Sequence, residues 1–141
     1  MRKILSAISS WLHRLKQPKH AQDSGTNVKQ TTLAQMQYRT SDGRVMIEFL
    51  FANRGPALGW RIYIVTDIDY GSRLASDHDT HSHRIESDTY KTISWIGKIS
   101  TLDQAKAVAA LWADATSEYI FCGGKGVSFD MITQKLIIAR R

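Results

Sequence analysis

Residues 44–53 read RVMIEFLFAN, and every second residue from Val45 to Phe51 is a branched or aromatic apolar residue. Successive side chains of a β-strand point to opposite faces, so Val45, Ile47, Phe49 and Phe51 would share one face. A face made of aromatic and branched apolar residues is typical of the buried side of a sheet. The segment therefore predicts a β-strand with one face against a hydrophobic core.

Similar alternating runs precede and follow this segment, and turn residues separate them. The runs are LAQMQYRT at 33–40, WRIYIVTDI at 60–68 and YKTISWIGKI at 90–99. The turns between the first three strands are SDG at 41–43 and RGPALG at 54–59. Short turns between alternating runs indicate an antiparallel meander. We therefore expect three consecutive strands, with the run at 90–99 as a fourth.

Residues 100–121, STLDQAKAVAALWADATSEYIF, have the periodicity of an amphipathic helix. Thr101 followed by Gln104 is a helix-start signal, and Gly123-Gly124 would end the helix. The predicted core stripe consists of Leu102, Ala105, Val108, Ala109, Trp112, Ala115 and Tyr119. The following segment, GVSFDMITQKLIIAR at 126–140, favours a β-hairpin over a terminal helix.

These segments together predict the α+β fold class. We expect an antiparallel sheet of about four to six strands, meander first, with one long helix at about 101–121 packed on one face. An N-terminal amphipathic helix would precede this unit. The predicted organisation is a basic amphipathic helix at 1–16, a polar linker at 17–31 and a single α+β domain at 32–141.

The net charge of +6 is concentrated at the N-terminus. Residues 1–32 carry six basic side chains and one acidic side chain, for a charge of +5. The remaining 13 basic and 12 acidic side chains give residues 33–141 a charge of +1. The high pI of 9.6 therefore does not imply a basic surface on the folded domain. The single cysteine, Cys122, excludes an intramolecular disulfide.

The first 17 residues, MRKILSAISSWLHRLKQ, contain an apolar stripe at helical spacing, and no acidic residue occurs before Asp23. The residues predicted to contact a partner or membrane are Arg2, Lys3, Ile4, Leu5, Ile8, Trp11, Leu12, Arg14, Leu15 and Lys16. Such a segment is typical of helices that lie on an anionic membrane surface or in the groove of a protein partner. A helix that packs on its own domain is the competing interpretation.

Two serines interrupt the apolar run, and no small-residue cleavage site follows it. We therefore expect no secretion by a cleaved signal, and a protein that is cytoplasmic or peripheral to a membrane. An organellar presequence shares the same acid-free amphipathic pattern. No apolar run approaches the length of roughly 18–20 residues that a membrane span requires.

The segment DHDTHSH at 77–83 holds three of the five histidines. His78, Asp79, His81 and His83 are candidate ligands of a metal such as zinc. The sequence between 67 and 88 is acidic and lacks a hydrophobic period, so a solvated loop is the favoured interpretation. We therefore expect no cofactor, with zinc as the alternative.

Other candidate chemistry also has a structural interpretation. GGKG at 123–126 resembles a phosphate loop, but such a loop precedes a helix, whereas this one follows one. Asp114 and Glu118 could pair for acid–base work, but their spacing fits the solvated face of the helix. Three tryptophans at predicted core positions favour packing over stacking on nucleic-acid bases; they are Trp60, Trp95 and Trp112.

The function predicted from the sequence is that of a small non-enzymatic adaptor that acts through its N-terminal helix on a protein partner or anionic membrane surface. No catalytic residue is assigned. One alternative is a metal-dependent hydrolase or nuclease centred on the histidine cluster. A second alternative is a nucleic-acid-binding accessory protein that uses the basic N-terminal segment.

Overall fold

A computed structural model describes residues 32–73, 83–85, 89–122 and 127–141. The strands are β1 (Leu33–Arg39), β2 (Met46–Asn53), β3 (Trp60–Ile64), β4 (Arg84–Ile85) and β5 (Lys91–Ile93). The helices are α1 (Leu102–Cys122) and α2 (Phe129–Ala139). The five strands form one antiparallel sheet in the order β1-β2-β3-β5-β4. This arrangement confirms the predicted α+β fold with a meander at its start.

One face of the sheet packs against the helices, as the alternation predicts. Ile47, Phe49 and Phe51 of β2 are fully buried, and their partners on β3 include Ile62 and Ile64. On β1 the corresponding residues are half-buried and pack against the same core; they are Ala34, Met36 and Tyr38. Because cross-strand partners share a face, these residues form one continuous apolar surface under α1.

Both predicted turns are present, and one depends on a glycine. Thr40 and Val45 close the first turn through a backbone hydrogen bond of 2.9 Å. In the second turn Gly59 has a φ of +71°, and a Cβ atom there would lie 2.2 Å from the carbonyl oxygen of Ile99. Only glycine can therefore occupy this position, because a side chain would collide with the backbone of Ile99 and would also be strained at a positive φ.

Helix α1 begins with the predicted cap and buries the predicted stripe. The N–H of Gln104 donates to Thr101 Oγ1 at 3.2 Å, and the Gln104 side chain accepts from the N–H of Ser100 at 2.9 Å. Six stripe residues are buried, and the seventh, Leu102, packs partly against the core; the buried six are Ala105, Val108, Ala109, Trp112, Ala115 and Tyr119.

The predicted C-terminal hairpin is wrong, because residues 129–139 form helix α2. Ser128 is the N-cap, and its hydroxyl accepts from the N–H of Met131 at 3.2 Å. Phe129, Ile132 and Ile137 are buried on one side of the helix. The hairpin prediction rests on a different set of apolar residues, which alternate with a period of two: Val127, Phe129 and Met131, and then Leu136 and Ile138. Ser128 is the sequence signal that favours the helix over the hairpin, because serine is a preferred N-cap residue.

Between β3 and α1 the described residues form two short strands where the sequence predicts one long strand. The fourth predicted strand, at 90–99, is a strand only at Lys91–Ile93, although Ile99 still accepts a backbone hydrogen bond from Trp60 at 2.8 Å. Strand β4 was not predicted. The predicted helix at 1–16 and linker at 17–31 lie outside the described residues.

Candidate functional site

His83 is the one predicted metal ligand among the described residues, since His78, Asp79 and His81 lie outside them. It precedes β4 with a φ of 52°, a left-handed conformation that is uncommon for residues other than glycine. Its carbonyl oxygen accepts from the N–H of Ser94 at 2.7 Å. Its ring lies 5.4 Å from that of Phe129, and its Nε2 contacts the Asp130 carboxylate. His83 is thus held between the sheet and the first turn of α2.

Beside His83, arginine side chains lie over aromatic rings. The Arg73 guanidinium is 4.1 Å from the centroid of Tyr119, and the Arg84 guanidinium is 4.6 Å from that of Tyr70. Tyr119 also contacts Phe129 edge-to-face at 5.8 Å. We call this group the arginine–aromatic cluster, and its members are Tyr70, Arg73, Arg84, Tyr119 and Phe129. The ring faces offset the cost of burying Arg84, which is 5% exposed.

The contact between His83 and Asp130 is of the kind that orients metal-binding histidines in other proteins. A carboxylate against one imidazole nitrogen commonly orients a histidine whose other nitrogen binds a metal. Within the described parts of the chain, however, no three His, Cys, Asp or Glu side chains converge to hold an ion. The structure therefore joins His83 to Asp130, which sequence reasoning missed because it placed residue 130 in a hairpin.

A second polar cluster attaches the β1–β2 turn to α1, and we call it the Asp114 cluster. Asp114 is 6% exposed and accepts from the N–H and the hydroxyl of Ser41, each at 2.8 Å. The Tyr38 hydroxyl donates to the same carboxylate at 3.1 Å, and Arg140 forms an ion pair with it. This buried charge is therefore both hydrogen-bonded and neutralised, as buried carboxylates require.

The adjacent Asp42 adds a second attachment between the turn and α1. Its carboxylate accepts from the hydroxyls of Thr40 at 2.6 Å and Ser117 at 2.7 Å, and from the N–H of Arg44 at 3.0 Å. Partial desolvation acts to raise the pKa of Asp42. These hydrogen bonds, with the nearby Arg44 charge, outweigh it and hold the pKa below its ordinary value of 3.8.

The prediction that Asp114 lies on the solvated face of the helix is wrong, since that side chain is buried against the turn. Glu118 instead pairs with Lys135 of α2 at 2.8 Å. The two carboxylates thus have different partners: Ser41, Tyr38 and Arg140 contact Asp114, and Lys135 contacts Glu118. All three candidate stacking tryptophans pack in or against the core, as predicted.

The N-terminal residues predicted to contact a partner or membrane all precede Thr32 and lie outside the described residues. GGKG at 123–126 also lies outside them. Within the described parts of the chain, no helix combines the length and the apolar character that a bilayer crossing requires.

Comparison with protein-family models, with curated proteins and with solved structures gave no match for this chain. Its function has therefore to be argued from its own residues.

Proposed function

We propose that the protein is a small non-enzymatic adaptor that binds through the basic amphipathic segment at residues 1–16. The observation that carries this proposal is the division of charge: residues 1–32 hold +5 of the net +6, and the same segment holds six apolar residues at helical spacing. An anionic membrane surface suits both features, because it accepts apolar side chains and attracts basic ones.

The folded domain supports this proposal through its own carboxylates. Carboxylates of the domain form hydrogen bonds or ion contacts with neighbouring side chains; examples are Asp42, Asp114, Glu118 and Asp130. Carboxylates engaged in this way attach loops to helices and link one helix to the other. Their role in the domain is accordingly structural.

The start of the sheet also suits a tethered segment. Thr32 leads directly into β1, which lies at the edge of the sheet. Residues 17–31, if extended, would span at most roughly 50 Å. Residues 1–16 could therefore reach a surface well beyond the domain while the domain keeps its fold.

Vesicle binding by the full chain tests the proposal. We expect co-sedimentation with phosphatidylcholine vesicles that contain phosphatidylserine, and little with phosphatidylcholine alone. Ile8→Asp/Leu12→Asp should abolish binding, because it places charges on the apolar stripe. Arg14→Gln/Lys16→Gln should weaken binding by about fivefold for each charge removed, since a basic residue near an anionic surface contributes about 1 kcal/mol.

The matched control is Lys19→Gln/Lys29→Gln, which removes the same charge outside residues 1–16 and should weaken binding less. Trp11 fluorescence, isolated by subtracting the Trp11→Phe variant, should shift to shorter wavelength with anionic vesicles. If Ile8→Asp/Leu12→Asp unfolds the domain, the segment belongs to the core and the proposal fails. If vesicles do not bind but an acidic protein does, with the same dependence on the stripe, the partner is a protein.

The same variants distinguish binding to nucleic acid from binding to a membrane. A nucleic-acid contact would be lost steeply with added salt and with Arg14→Gln/Lys16→Gln. It would survive Ile8→Asp/Leu12→Asp, because phosphate contact does not require the apolar stripe. That pattern would replace the adaptor proposal with the accessory-protein alternative.

The contact between His83 and Asp130 favours one second candidate, a metal-dependent hydrolase or nuclease. Under the adaptor proposal, elemental analysis after dialysis should find zinc well below one ion per chain. Stoichiometric zinc that is lost in His81→Ala/His83→Ala and weakened in Asp130→Asn would favour the metal-dependent alternative.

A further inference from the structure

Strand β1 is an open edge of the sheet. Within the described parts of the chain, β1 pairs with β2 on one side and with no strand on the other. It is seven residues long, contains no proline or glycine, and carries one charge, at Arg39. The opposite edge, β4, is two residues long. Folded proteins usually shorten, charge or cover their edges, so a long neutral edge indicates a pairing surface.

The direction of each backbone group on β1 follows from two hydrogen bonds. The N–H of Asn53 donates to the carbonyl of Thr32 at 3.1 Å, and the N–H of Thr40 donates to the carbonyl of Val45 at 2.9 Å. Hydrogen bonding alternates along an antiparallel strand, so the even-numbered residues of β1 bond to β2. The residues whose N–H and C=O groups point away from β2 are Leu33, Gln35, Gln37 and Arg39.

We propose that β1 pairs antiparallel with β1 of a second copy of this chain, about a two-fold axis at Met36. In this register Leu33 lies opposite Arg39 of the copy, and Gln35 lies opposite Gln37. All four outward-facing residues then donate and accept one hydrogen bond each. Even-numbered residues meet even-numbered ones, so the alternation required by the β1–β2 ladder is kept.

The side chains suit this register on both faces of the sheet. On the open face the Gln35 amide donates to Glu48 of its own sheet, so its oxygen can accept from Gln37 of the copy, and Arg39 is opposite a leucine rather than its own copy. On the core face the small Ala34 lies opposite the large Tyr38. Met36, which is half-buried at the edge of the core, would be covered by the Met36 of the copy.

This self-complementarity favours a second copy over an unrelated extended peptide. A two-fold axis uses the same patch twice and closes the pair, leaving no further edge of this kind exposed. Pairing along one short strand buries less than the roughly 1,600 Å² of a standard stable interface. The dimer is therefore expected to depend on concentration.

Sedimentation of the full-length chain across a micromolar concentration series tests the pairing. We expect reversible dimerisation that is weakened at least about tenfold by Gln35→Pro, which removes the side chain and an outward N–H from each copy but no backbone hydrogen bond to β2. Gln35→Ala is the matched control, since it loses the same side chain but keeps the N–H, and it should still dimerise. A monomer at every concentration, or a dimer unaffected by Gln35→Pro, would overturn the proposal.

The register is tested by cysteine substitution in a Cys122→Ser background. Residues facing each other in a non-hydrogen-bonded pair have Cα atoms about 4.5 Å apart, within the disulfide range of about 4.4–6.8 Å. Met36→Cys should therefore form a disulfide-linked dimer on oxidation, whereas Gln35→Cys and Gln37→Cys should not. Preferential cross-linking at residue 35 or 37 would contradict this register.

Charge pairs provide a second measure of the register. Gln35→Lys/Gln37→Lys places like charges opposite each other and should give a monomer. Gln35→Glu/Gln37→Lys places opposite charges across the two-fold axis. Within each sheet the new lysine at position 37 lies directly opposite Glu48 and offsets the carboxylate that Gln35→Glu places beside Glu48, so dimerisation should return. A dimer of the double-lysine variant, or a monomer of the opposite-charge variant, would reject the pairing.

Discussion

The Asp114 cluster and the pair of His83 and Asp130 both attach a loop to a helix, but they differ in burial and in the number of partners. The Asp114 side chain is 5% exposed and is contacted by three residues. The Asp130 side chain is 50% exposed, and among the described residues one side chain, that of His83, forms a polar contact with it. Burial strengthens a satisfied polar contact and raises the cost of breaking it, whereas water replaces an exposed contact at little cost.

The two clusters therefore differ in how firmly each holds its loop. The turn between β1 and β2 is attached at two carboxylates and fixes the edge strand to α1. The ring of His83 lies against that of Phe129, and its contact with the half-exposed Asp130 carboxylate costs less to break. The Asp114 cluster is therefore expected to contribute more to the stability of the fold than the contact between His83 and Asp130.

The largest expected effect is at Trp112, which lies in the hydrophobic core between the sheet and α2. Its ring is 6.2 Å from that of Phe49 and 6.4 Å from that of Phe129, so it joins the sheet to the start of α2. Trp112→Ala should lower the free energy of unfolding by about 3–5 kcal/mol, as large aromatic truncations in cores do. Denaturant unfolding of the full chain measures this loss. Trp112→Phe should cost much less, and a neutral Trp112→Ala would show that the stripe is not the core.

The second prediction compares the two clusters directly. Asp114→Ala should destabilise the domain by about 2–3 kcal/mol, because it removes a buried, charged acceptor of hydrogen bonds from Ser41 and Tyr38 and the ion-pair partner of Arg140. Asp130→Ala, at the exposed pair, should cost less than about 1 kcal/mol. Denaturant midpoints of both variants at neutral pH test the difference. Equal losses would mean that burial does not distinguish the two clusters.

The fold was predictable where the sequence pattern is long and regular. The alternation over β1, β2 and β3, with turn residues between them, gave the correct strands and the correct buried face. Helix α1 was predictable for the same reason, since its stripe extends over more than four turns. The short strand β4 was missed because two residues carry too little pattern to identify a strand, and the predicted strand at 90–99 was too long because pairing with β3 and β4 limits β5 to Lys91–Ile93.

The contacts between distant elements were not predictable from local spacing. Asp114 occupies a helix position that would be solvated if the helix stood alone, and residues distant in sequence contact it there: Tyr38, Ser41 and Arg140. Similarly, Asp130 meets His83 because α2 returns toward β4, which a hairpin at that position would not do. The missed serine cap at Ser128 shows that a local start signal can decide between two periods that both fit the apolar residues.

The smallest predicted effect is a pH dependence that arises at the β1–β2 turn. The folded-state pKa of Asp42 lies below its ordinary value of 3.8. Its ionised form therefore stabilises the fold fully above the unfolded-state pKa, and this contribution is lost as the pH falls through the lower folded-state pKa. Asp42→Asn should flatten the fall in unfolding free energy between about pH 5 and the acid limit of the folded state.

Ser117→Ala sharpens this test, because it removes one hydrogen bond to Asp42 and leaves the carboxylate in place. It should flatten the pH dependence in part, whereas Asp42→Asn removes that contribution entirely. Ser128→Ala is the control: losing the cap of α2 should cost about 1 kcal/mol at every pH and leave the slope as it is. If Ser117→Ala shifts stability equally at all pH values, its hydroxyl does not act through the Asp42 carboxylate. The turn would then be attached to α1 chiefly through Asp114.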